Sequence, residues 1–354
     1  MSEPNRPEEE EEVRESPRRR RRTMLALKVL SGLFAAILAM VIGAGYLITE
    51  QLADQVRRYP DVFVGMDDAS RPQESAGLTF LLVGSDSRAG GATTGSAATE
   101  PGYAPGSQRS DMIMLVRIDA GFTTAAAVSI PRDAWVPVPG HGTTKINASY
   151  SYGGPPLLVN TVENLTGVRV DHFAIIDFVG FQALTDAVGG IDVNVAAATT
   201  FNGLEMDAGR NHLNGEEALN YVRQRVGLPG GDLDRAARHQ NALRAFLAKI
   251  ATGGPMNDPI RSLSFLNELS RWITVDDSLT NEGLRTLGSE LQDLRPEGIT
   301  FLTAPVAGTG WEGEQSVVHL DAARGAQLWD LFNAGKIADY VRANPGSALG
   351  PTTP

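Results

Sequence analysis

An uncharged stretch near the start of the chain constrains its folding more than any other feature. The segment from Val29 to Ile48 has no charged residue and is long enough to cross a membrane as a helix. An unbroken arginine run, Arg18–Arg22, precedes it. Because positive residues beside a membrane helix stay in the cytoplasm, we expect one transmembrane helix at 24–49, with the N-terminus inside and the C-terminus outside. The rest of the chain would then fold on the outer face of the cell membrane.

Two other interpretations of this stretch stay open. A cleaved signal peptide would need a small-residue site such as Gly43-Ala44-Gly45, although the apolar region is long for a signal peptide. A buried core helix would leave the arginine run unexplained. Around the stretch, composition predicts a disordered cytoplasmic tail at 1–23 and a polar stalk at 50–76. It also predicts a second disordered tail at 344–354, which is rich in Pro and Gly.

Charge and cysteine content exclude several classes of function. The net charge of −11 disfavours general nucleic-acid binding, so no nucleic-acid partner is expected. The chain has no cysteine, which excludes disulfides, iron–sulfur clusters and cysteine nucleophiles. Its five histidines do not have the spacing of a zinc site.

Three apolar strand-like segments end in charged residues. They cover 78–83, 111–118 and 124–130, and a short turn between the second and third makes these two antiparallel neighbours. If the first two segments are also antiparallel, three chain ends meet at one edge of a sheet. The charged residues gathered there would be Asp86, Arg88, Arg109, Asp111, Arg132 and Asp133. The alternative for these residues is an ordinary solvated rim.

Strands and helices alternate through the middle of the chain. Helical patterns at 157–165, 180–188 and 234–250 are interspersed with strand-like segments at 171–178 and 191–195. This order predicts an α/β fold in which helices flank a central mixed or antiparallel sheet. We place the main domain at 77–250 and an extension packed on it at 251–343, which includes a strand-like run at 299–303.

Basic residues near a glycine-rich loop indicate phosphate binding. Arg223 and Arg225 precede Gly227–Gly231, and Arg235 and Arg238 follow it on one helix face. Guanidinium groups bind phosphate oxygens bidentately, and Lys145 could add a point charge. A solvated helix face is the alternative.

Asp86 and Asp111 are candidate magnesium ligands, because Mg²⁺ is typically held by one or two carboxylates plus phosphate oxygens. Otherwise, Asp86 caps a turn and Asp111 opens a strand.

The order of these motifs resembles the LytR–CpsA–Psr family over residues 77–250. The matching segments are Gly84-Ser85-Asp86-Ser87-Arg88, Arg109-Ser110-Asp111, Ser129-Ile130-Pro131-Arg132-Asp133, Lys145-Ile146-Asn147-Ala148, Asn214-Gly215-Glu216, Tyr221-Val222-Arg223-Gln224-Arg225 and Asp232 through Arg238 with Gln240. Two departures are the long insertion between Arg88 and Arg109, and His239, where the family often has glutamine.

The resemblance implies a membrane-anchored phosphotransferase with an apolar lipid tunnel. Such an enzyme moves a glycopolymer from a polyprenyl diphosphate carrier to peptidoglycan and leaves a phosphodiester. Mg²⁺, or Mn²⁺ in its place, would be held by Asp86 and Asp111. A non-catalytic lipid-carrier-binding scaffold and a polyprenyl-diphosphate hydrolase are the alternatives. For catalysis we name Arg132, with Asp133 or Asp234 as the group that accepts the hydroxyl proton. The predicted diphosphate-binding residues are Arg88, Arg109, Lys145, Arg223, Arg225, Arg235, Arg238 and Gln240.

Overall fold

A mixed β-sheet forms the centre of the fold, with helices on both of its faces. The computed structural model describes residues 50–87, 91–99, 103, 105–106, 108–224, 227–252 and 259–354. The predicted tail at 1–23 and the predicted transmembrane helix at 24–49 lie outside these residues. Within the described ranges, no helix is both long and apolar enough to cross a membrane.

Fifteen strands are described, and seven of them form the central sheet. The strands are β1 (Arg57–Tyr59), β2 (Leu78–Ser87), β3 (Gln108–Ile118), β4 (Ala125–Ser129), β5 (Trp135–Val138), β6 (Gly142–Lys145), β7 (His172–Asp177), β8 (Ile191–Val195), β9 (Thr199–Phe201), β10 (Leu204–Met206), β11 (Gly209–Leu213), β12 (Thr274–Asp276), β13 (Ile299–Thr303), β14 (Val306–Glu312) and β15 (Gln315–Leu320). The central sheet has the order β1-β12-β7-β2-β3-β4-β13. Its β2–β3 and β3–β4 pairs are antiparallel, whereas β2–β7 and β4–β13 are parallel. The prediction of an α/β fold with a mixed central sheet is therefore confirmed.

The described helices include the three that the sequence analysis predicts, although the first begins at Ile146 rather than at residue 157. They are α1 (Ile146–Thr166), α2 (Phe178–Ala187), α3 (Gly215–Arg223), α4 (Asp232–Thr252), α5 (Pro259–Trp272), α6 (Asn281–Glu290), α7 (Ala322–Asn333) and α8 (Ile337–Ala343), with short 3-10 turns at Leu291–Asp293 and Pro296–Gly298. Helix α1 is kinked at Gly153 and Gly154, and the latter has φ +63°, a conformation that favours glycine. Pro155 and Pro156 follow the kink and start the second helical segment, as their fixed φ allows.

Side chains alternate between the two faces of the sheet and build separate cores. On one face, Leu81, Ile113 and Leu115 pack in one cluster with Leu158 and Val162 of α1. On the other face, Met114, Ala127 and Phe301 pack with Leu243 and Leu247 of α4. This second face also contacts α6 through Leu284 and Leu287. Successive side chains of a strand point to opposite faces, and both faces of this sheet are buried, as expected for a sheet between helical layers.

The boundaries of the sheet differ from the predicted domain boundaries. Strand β1, from the expected stalk at 50–76, pairs with β12. Strands β12 and β13 come from the expected extension at 251–343, and they pair with β7 and β4 inside the sheet. The extension therefore completes the sheet rather than packing on it, because β12 and β13 find their hydrogen-bond partners in distant parts of the chain.

Residues 344–354 are also ordered, although their composition predicts disorder. Thr353 is buried, and its backbone pairs with Val195 in a short parallel bridge. Ala348 makes a second bridge, to Leu302. Pro and Gly prevent regular secondary structure here, but they do not prevent an irregular segment from docking on existing strands.

Candidate functional site

The predicted meeting of three strand ends at one rim is confirmed. Strand β2 pairs antiparallel with β3, so Asp86 lies opposite Arg109 and Ser85 opposite Ser110. Strand β4 pairs antiparallel with β3, with Ser129 opposite Met114. The chain leaves β4 at this same rim and continues into Arg132 and Asp133.

A β-bulge in β3 places Asp111 at the rim. Gly84 is opposite Met112, but the next residue, Ser85, is opposite Ser110, so Asp111 is the extra residue. A bulge bends the strand and redirects a side chain, and such bulges are common beside active sites. The Asp111 carboxylate reaches Arg132 and forms a salt bridge with it.

Six charged residues form what we call the rim cluster. Arg132 Nε lies 3.4 Å from Asp232 Oδ1 and 3.8 Å from Asp133 Oδ2. Lys145 Nζ lies 3.3 Å from Asp133 Oδ1, and Arg235 pairs with Asp232. The members of the cluster are Asp111, Arg132, Asp133, Lys145, Asp232 and Arg235. Three cations alternate with three carboxylates, which is how poorly solvated charges are stabilised.

Backbone hydrogen bonds hold the loop that carries Arg132 and Asp133. The Asn147 N–H donates to the Arg132 carbonyl at 3.1 Å, and the Val318 N–H donates to the Asp133 carbonyl at 2.9 Å. The Ile146 N–H donates to the Ala134 carbonyl at 2.9 Å. The start of α1 and strand β15 therefore fix this loop, and Lys145, which precedes α1, is brought beside it.

His239 lies beneath the rim cluster in its neutral form. It lines a cavity of about 10 Å³ together with Asp111, Arg132 and Arg235. Its Nε2 is 3.1 Å from the Val222 carbonyl oxygen. Burial, aided by the positive charge of Arg235, lowers the pKa of His239 to about 4. The ring is therefore uncharged at neutral pH. The cavity has room for about one water molecule, so a larger ligand would have to separate the ion pairs.

The structure separates the predicted diphosphate-binding residues into groups. Arg235 and Lys145 belong to the rim cluster, and Arg109 is exposed on the same rim. Arg223 is exposed, and its guanidinium lies over the Phe178 ring at 4.8 Å from the centroid. Arg88 and Arg225 lie outside the described residues.

Arg238 and Gln240 are buried on the same helix. Arg238 Nη1 donates to Gln224 Oε1 at 2.5 Å, and its guanidinium lies over the Tyr221 ring at 4.7 Å from the centroid. Gln240 Nε2 donates to the Leu302 carbonyl at 2.6 Å and so ties α4 to β13. Gln240 therefore has a structural role in the fold, and its place among the diphosphate-binding residues stays a prediction.

In the first turn of α4, Asp232 rather than Asp234 contacts the rim cluster. Asp234, a predicted catalytic residue, accepts a hydrogen bond from the Gly230 N–H at 2.6 Å and orders the glycine-rich loop. Asp232 had no predicted role, yet it bridges Arg132 and Arg235. The sequence did contain a signal for this contact, because Asp232 lies three residues before Arg235 and both therefore lie on one helix face.

The two predicted metal ligands, Asp86 and Asp111, lie on adjacent strands at the rim. Among the described residues, no group of three or more His, Asp or Glu side chains could hold a metal ion. Two carboxylates fit a magnesium ion that takes its other ligands from phosphate and water, which is the common arrangement for Mg²⁺. The metal assignment stays a prediction.

Comparison with known proteins agrees with the motif order and the fold. The model of the LytR_cpsA_psr family matches residues 49–333. The cell wall biosynthesis protein LcpA of Corynebacterium glutamicum is 31% identical over 326 residues, which cover 81% of this chain and 62% of LcpA. The chain thus spans less than two thirds of that relative.

Two further matches come from other bacteria. The protein named polyisoprenyl-teichoic acid–peptidoglycan teichoic acid transferase TagU, of Bacillus mycoides, is 30% identical over 234 residues, covering 64% of this chain and 72% of TagU. The structure described as a LytR-Csp2A-Psr enzyme from Actinomyces oris superposes with a TM-score of 0.60 at 24% identity, covering 79% of this chain and 96% of the other. With the family model matched over most of its length, the chain belongs to the LytR–CpsA–Psr family.

Proposed function

We propose that this protein transfers a glycopolymer from a polyprenyl diphosphate carrier to peptidoglycan and leaves a phosphodiester link. The observation that carries the proposal is the rim cluster, in which Arg132, Lys145 and Arg235 are gathered with three aspartates. A diphosphate offers oxygens that can take the place of these carboxylates around the cations. The names of the relatives LcpA and TagU support a cell-wall transferase.

An apolar groove supports a lipid-linked substrate. It has a volume of about 360 Å³, and its apolar lining includes Leu78, Phe80, Leu279 and Leu287. Strand β2 runs from Leu78 at this groove to Asp86 at the rim, a distance of about 26 Å for an extended strand. A prenyl chain lying along this face would have its diphosphate at the rim cluster.

The charges then stabilise a transfer at phosphorus. Phosphoryl transfer depends mainly on positioning and on neutralising charge, and Arg132 and Arg235 would do this at the diphosphate. A peptidoglycan hydroxyl attacks the phosphorus next to the polymer. The new O–P bond forms as the P–O bond to the carrier phosphate breaks, and polyprenyl phosphate leaves. When bound by Asp86 and Asp111, magnesium would add positive charge at the phosphate oxygens.

Asp133 is the better candidate to accept the hydroxyl proton. It lies within the rim cluster beside Lys145, whereas Asp234 is engaged with the Gly230 N–H. A general base must lie within hydrogen-bonding reach of the proton it removes. Asp133 Oδ2 lies 3.8 Å from Arg132 Nε, which supports this role for a substrate held at Arg132.

The test uses the purified full-length chain in detergent with a radiolabelled, carrier-linked glycan and peptidoglycan. A transferase releases polyprenyl phosphate and moves the label into peptidoglycan. A hydrolase releases the same lipid but leaves the label in solution. A scaffold binds the carrier and releases nothing. Absence of labelled peptidoglycan while the carrier is consumed would refute the transfer step.

A further inference from the structure

The segment Ala348–Pro354 is anchored to two strands by its backbone. The Leu349 N–H donates to the Phe301 carbonyl of β13 at 2.8 Å. Four residues later, the Thr353 N–H donates to the Asn194 carbonyl at 3.1 Å, and the Thr353 carbonyl accepts from the Ala196 N–H at 2.8 Å. The segment therefore extends from the central sheet to β8 and its immediate flank.

Thr353 is the polar centre of this contact and is 1% exposed. Its hydroxyl lies 2.7 Å from the Tyr221 hydroxyl and 3.1 Å from Asn241 Nδ2. Tyr221 and Asn241 are themselves buried, on α3 and α4. Buried polar groups need partners, so the segment satisfies groups that would otherwise require water or another ligand.

The segment also supplies oxygens to two arginines of α4. Arg244 Nη1 donates to the Gly350 carbonyl at 2.8 Å. Arg238 Nε donates to the main-chain oxygen of Pro354 at 2.7 Å. Arg238 is 0% exposed, and its Nη2 is buried without a hydrogen-bond partner among the described residues. Guanidinium groups form charge-assisted bonds with phosphate oxygens, so a diphosphate can compete for both arginines.

Leu349 fills a position on the apolar face of the sheet. It packs against the cluster of Met114, Ala127 and Phe301, with Leu243 and Leu247 of α4 in the same cluster. The apolar groove at Leu78 and Phe80 adjoins this face through the shared neighbours Leu82 and Val116. Leu349 therefore lies on the same face of the sheet as the groove, but at β13, which β3 and β4 separate from β2.

We propose that Ala348–Pro354 is an autoinhibitory segment that competes with the diphosphate of the lipid carrier for Arg238 of α4. Arg235 of the rim cluster and Arg238 are three residues apart, a rise of about 4.5 Å along one helix face. A diphosphate that bridges both arginines must displace the main chain at Pro354, which the Leu349 contact with the sheet helps to hold in place. This inference rests on the proposed function, because it takes the carrier to be the ligand of the rim cluster.

The substitution Thr353→Val tests the competition without changing any residue of the site. It removes the hydroxyl contacts to Tyr221 and Asn241 while keeping the shape of the side chain. We expect the full-length variant to bind geranylgeranyl diphosphate about tenfold more tightly than the natural chain, from the loss of roughly two hydrogen bonds that hold the segment down. Thr352→Val is the matched control, since Thr352 is exposed, and its affinity should be unchanged.

Hydrogen exchange at Ala196 provides a readout independent of affinity. Its N–H is protected by the Thr353 carbonyl, so exchange should speed up in Thr353→Val and also when geranylgeranyl diphosphate binds the natural chain. A chain shortened after Ser347 should bind the diphosphate at least as tightly as Thr353→Val, and a peptide of residues 348–354 should reverse the gain.

The outcomes separate this inference from the proposed function. If the natural chain binds geranylgeranyl diphosphate while the Ala196 N–H stays protected, the ligand does not displace the segment and competition is refuted. Competition is also refuted if the folded Thr353→Val variant binds the diphosphate no more tightly than the natural chain. In both cases the proposed carrier site is unaffected. If no form of the chain binds the diphosphate but the peptide binds the shortened chain, the proposed function fails and there is no carrier for the segment to exclude.

Discussion

Arg132 is placed between three carboxylates, and this placement determines what its substitution should do. Its guanidinium pairs with Asp111 and reaches Asp232 and Asp133 through Nε. In Arg132→Lys, a point charge replaces a fork of donors and cannot serve several oxygens in fixed directions. We expect affinity for geranylgeranyl diphosphate to fall about tenfold to a hundredfold while the domain stays folded.

The control for this substitution is Arg210→Lys, at an arginine that is 73% exposed and pairs with Asp192. Its affinity should equal that of the natural chain, since surface ion pairs contribute little. Calorimetric titration and a thermal melt of each variant give affinity and folding separately. An Arg132→Lys variant with natural affinity would place the diphosphate away from the rim cluster.

Asp86 and Asp111 support a prediction about metal dependence. If these two carboxylates hold magnesium, Asp86→Ala and Asp111→Ala should each abolish metal-dependent transfer. Circular dichroism should show a folded domain in both, because each residue lies at the rim of the sheet rather than in a core cluster. Full transfer by either variant, or by the natural chain with a chelator present, would remove the metal from the mechanism.

Single-residue roles were only partly predictable because they depend on distant contacts. The gathering of Asp111, Arg132 and Asp133 follows from strand ends and short turns, which are local features. The surroundings of Arg238 depend on Pro354, which is 116 residues away. Sequence spacing treated Arg223 and Arg238 alike, yet the structure exposes one and buries the other.

Strand β12 shows how a short element is held inside the sheet. Its last residue, Asp276, is fully buried and accepts hydrogen bonds from the Phe173 N–H at 2.9 Å and the Leu279 N–H at 3.1 Å. His172 Nδ1 is 3.2 Å from the same carboxylate, and Ser278 also contacts it. Burial alone would raise the pKa of Asp276, but the bonds from His172, Ser278 and Phe173 outweigh burial and hold this pKa below its usual value.

The lowered pKa gives a prediction about stability and pH. The Asp276 carboxylate stabilises the fold above the pKa of the unfolded chain, about 3.9, and this contribution is lost as pH falls through the lower folded pKa. Asp276→Asn should therefore lower the free energy of unfolding by about 2 kcal/mol at pH 7 and by less at pH 3. Urea titrations at the two pH values measure both numbers.

The neighbouring Asp277→Asn is the matched control, because Asp277 is exposed. Its free energy of unfolding should change by no more than about 0.5 kcal/mol. A loss at pH 7 in Asp276→Asn that is no larger than in this control would mean that the carboxylate is not what holds β12 against β7.

Elements with strong local signals were predictable, whereas their partners in the sheet were not. Asn214 and Glu217 form a capping box at the start of α3, a local sequence signal: Asn214 Oδ1 accepts from the Glu217 N–H at 3.0 Å and the Asn214 N–H donates to Glu217 Oε2 at 2.9 Å. The strand at Ile299–Thr303 also has its predicted limits. Its parallel pairing with β4 joins residues more than 170 positions apart, and no local pattern encodes such a pairing.

At the scale of the whole molecule, Leu52–Pro354 forms one compact unit. Three of the seven strands of its central sheet lie outside the predicted domain at 77–250, since β1 precedes this range and β12 and β13 follow it. Because these strands depend on one another for hydrogen bonds, shortening the chain to the predicted domain at 77–250 would remove three strands of the central sheet. Functional tests therefore require a chain that keeps all three of these strands.

The proposed substrate also requires a particular topology of the whole chain. Peptidoglycan lies outside the cytoplasmic membrane, so the rim cluster must be outside as well. The arginine run Arg18–Arg22 before the uncharged stretch predicts this orientation, because positive residues resist translocation.

An alkaline phosphatase fused after Pro354 should therefore be active, since this reporter folds only outside the cytoplasm. The same reporter fused after Thr23 should be inactive. Replacing the five arginines with glutamines should reduce the difference between the two fusions. An inactive fusion after Pro354 at normal protein levels would place the rim cluster in the cytoplasm, where it has no access to peptidoglycan.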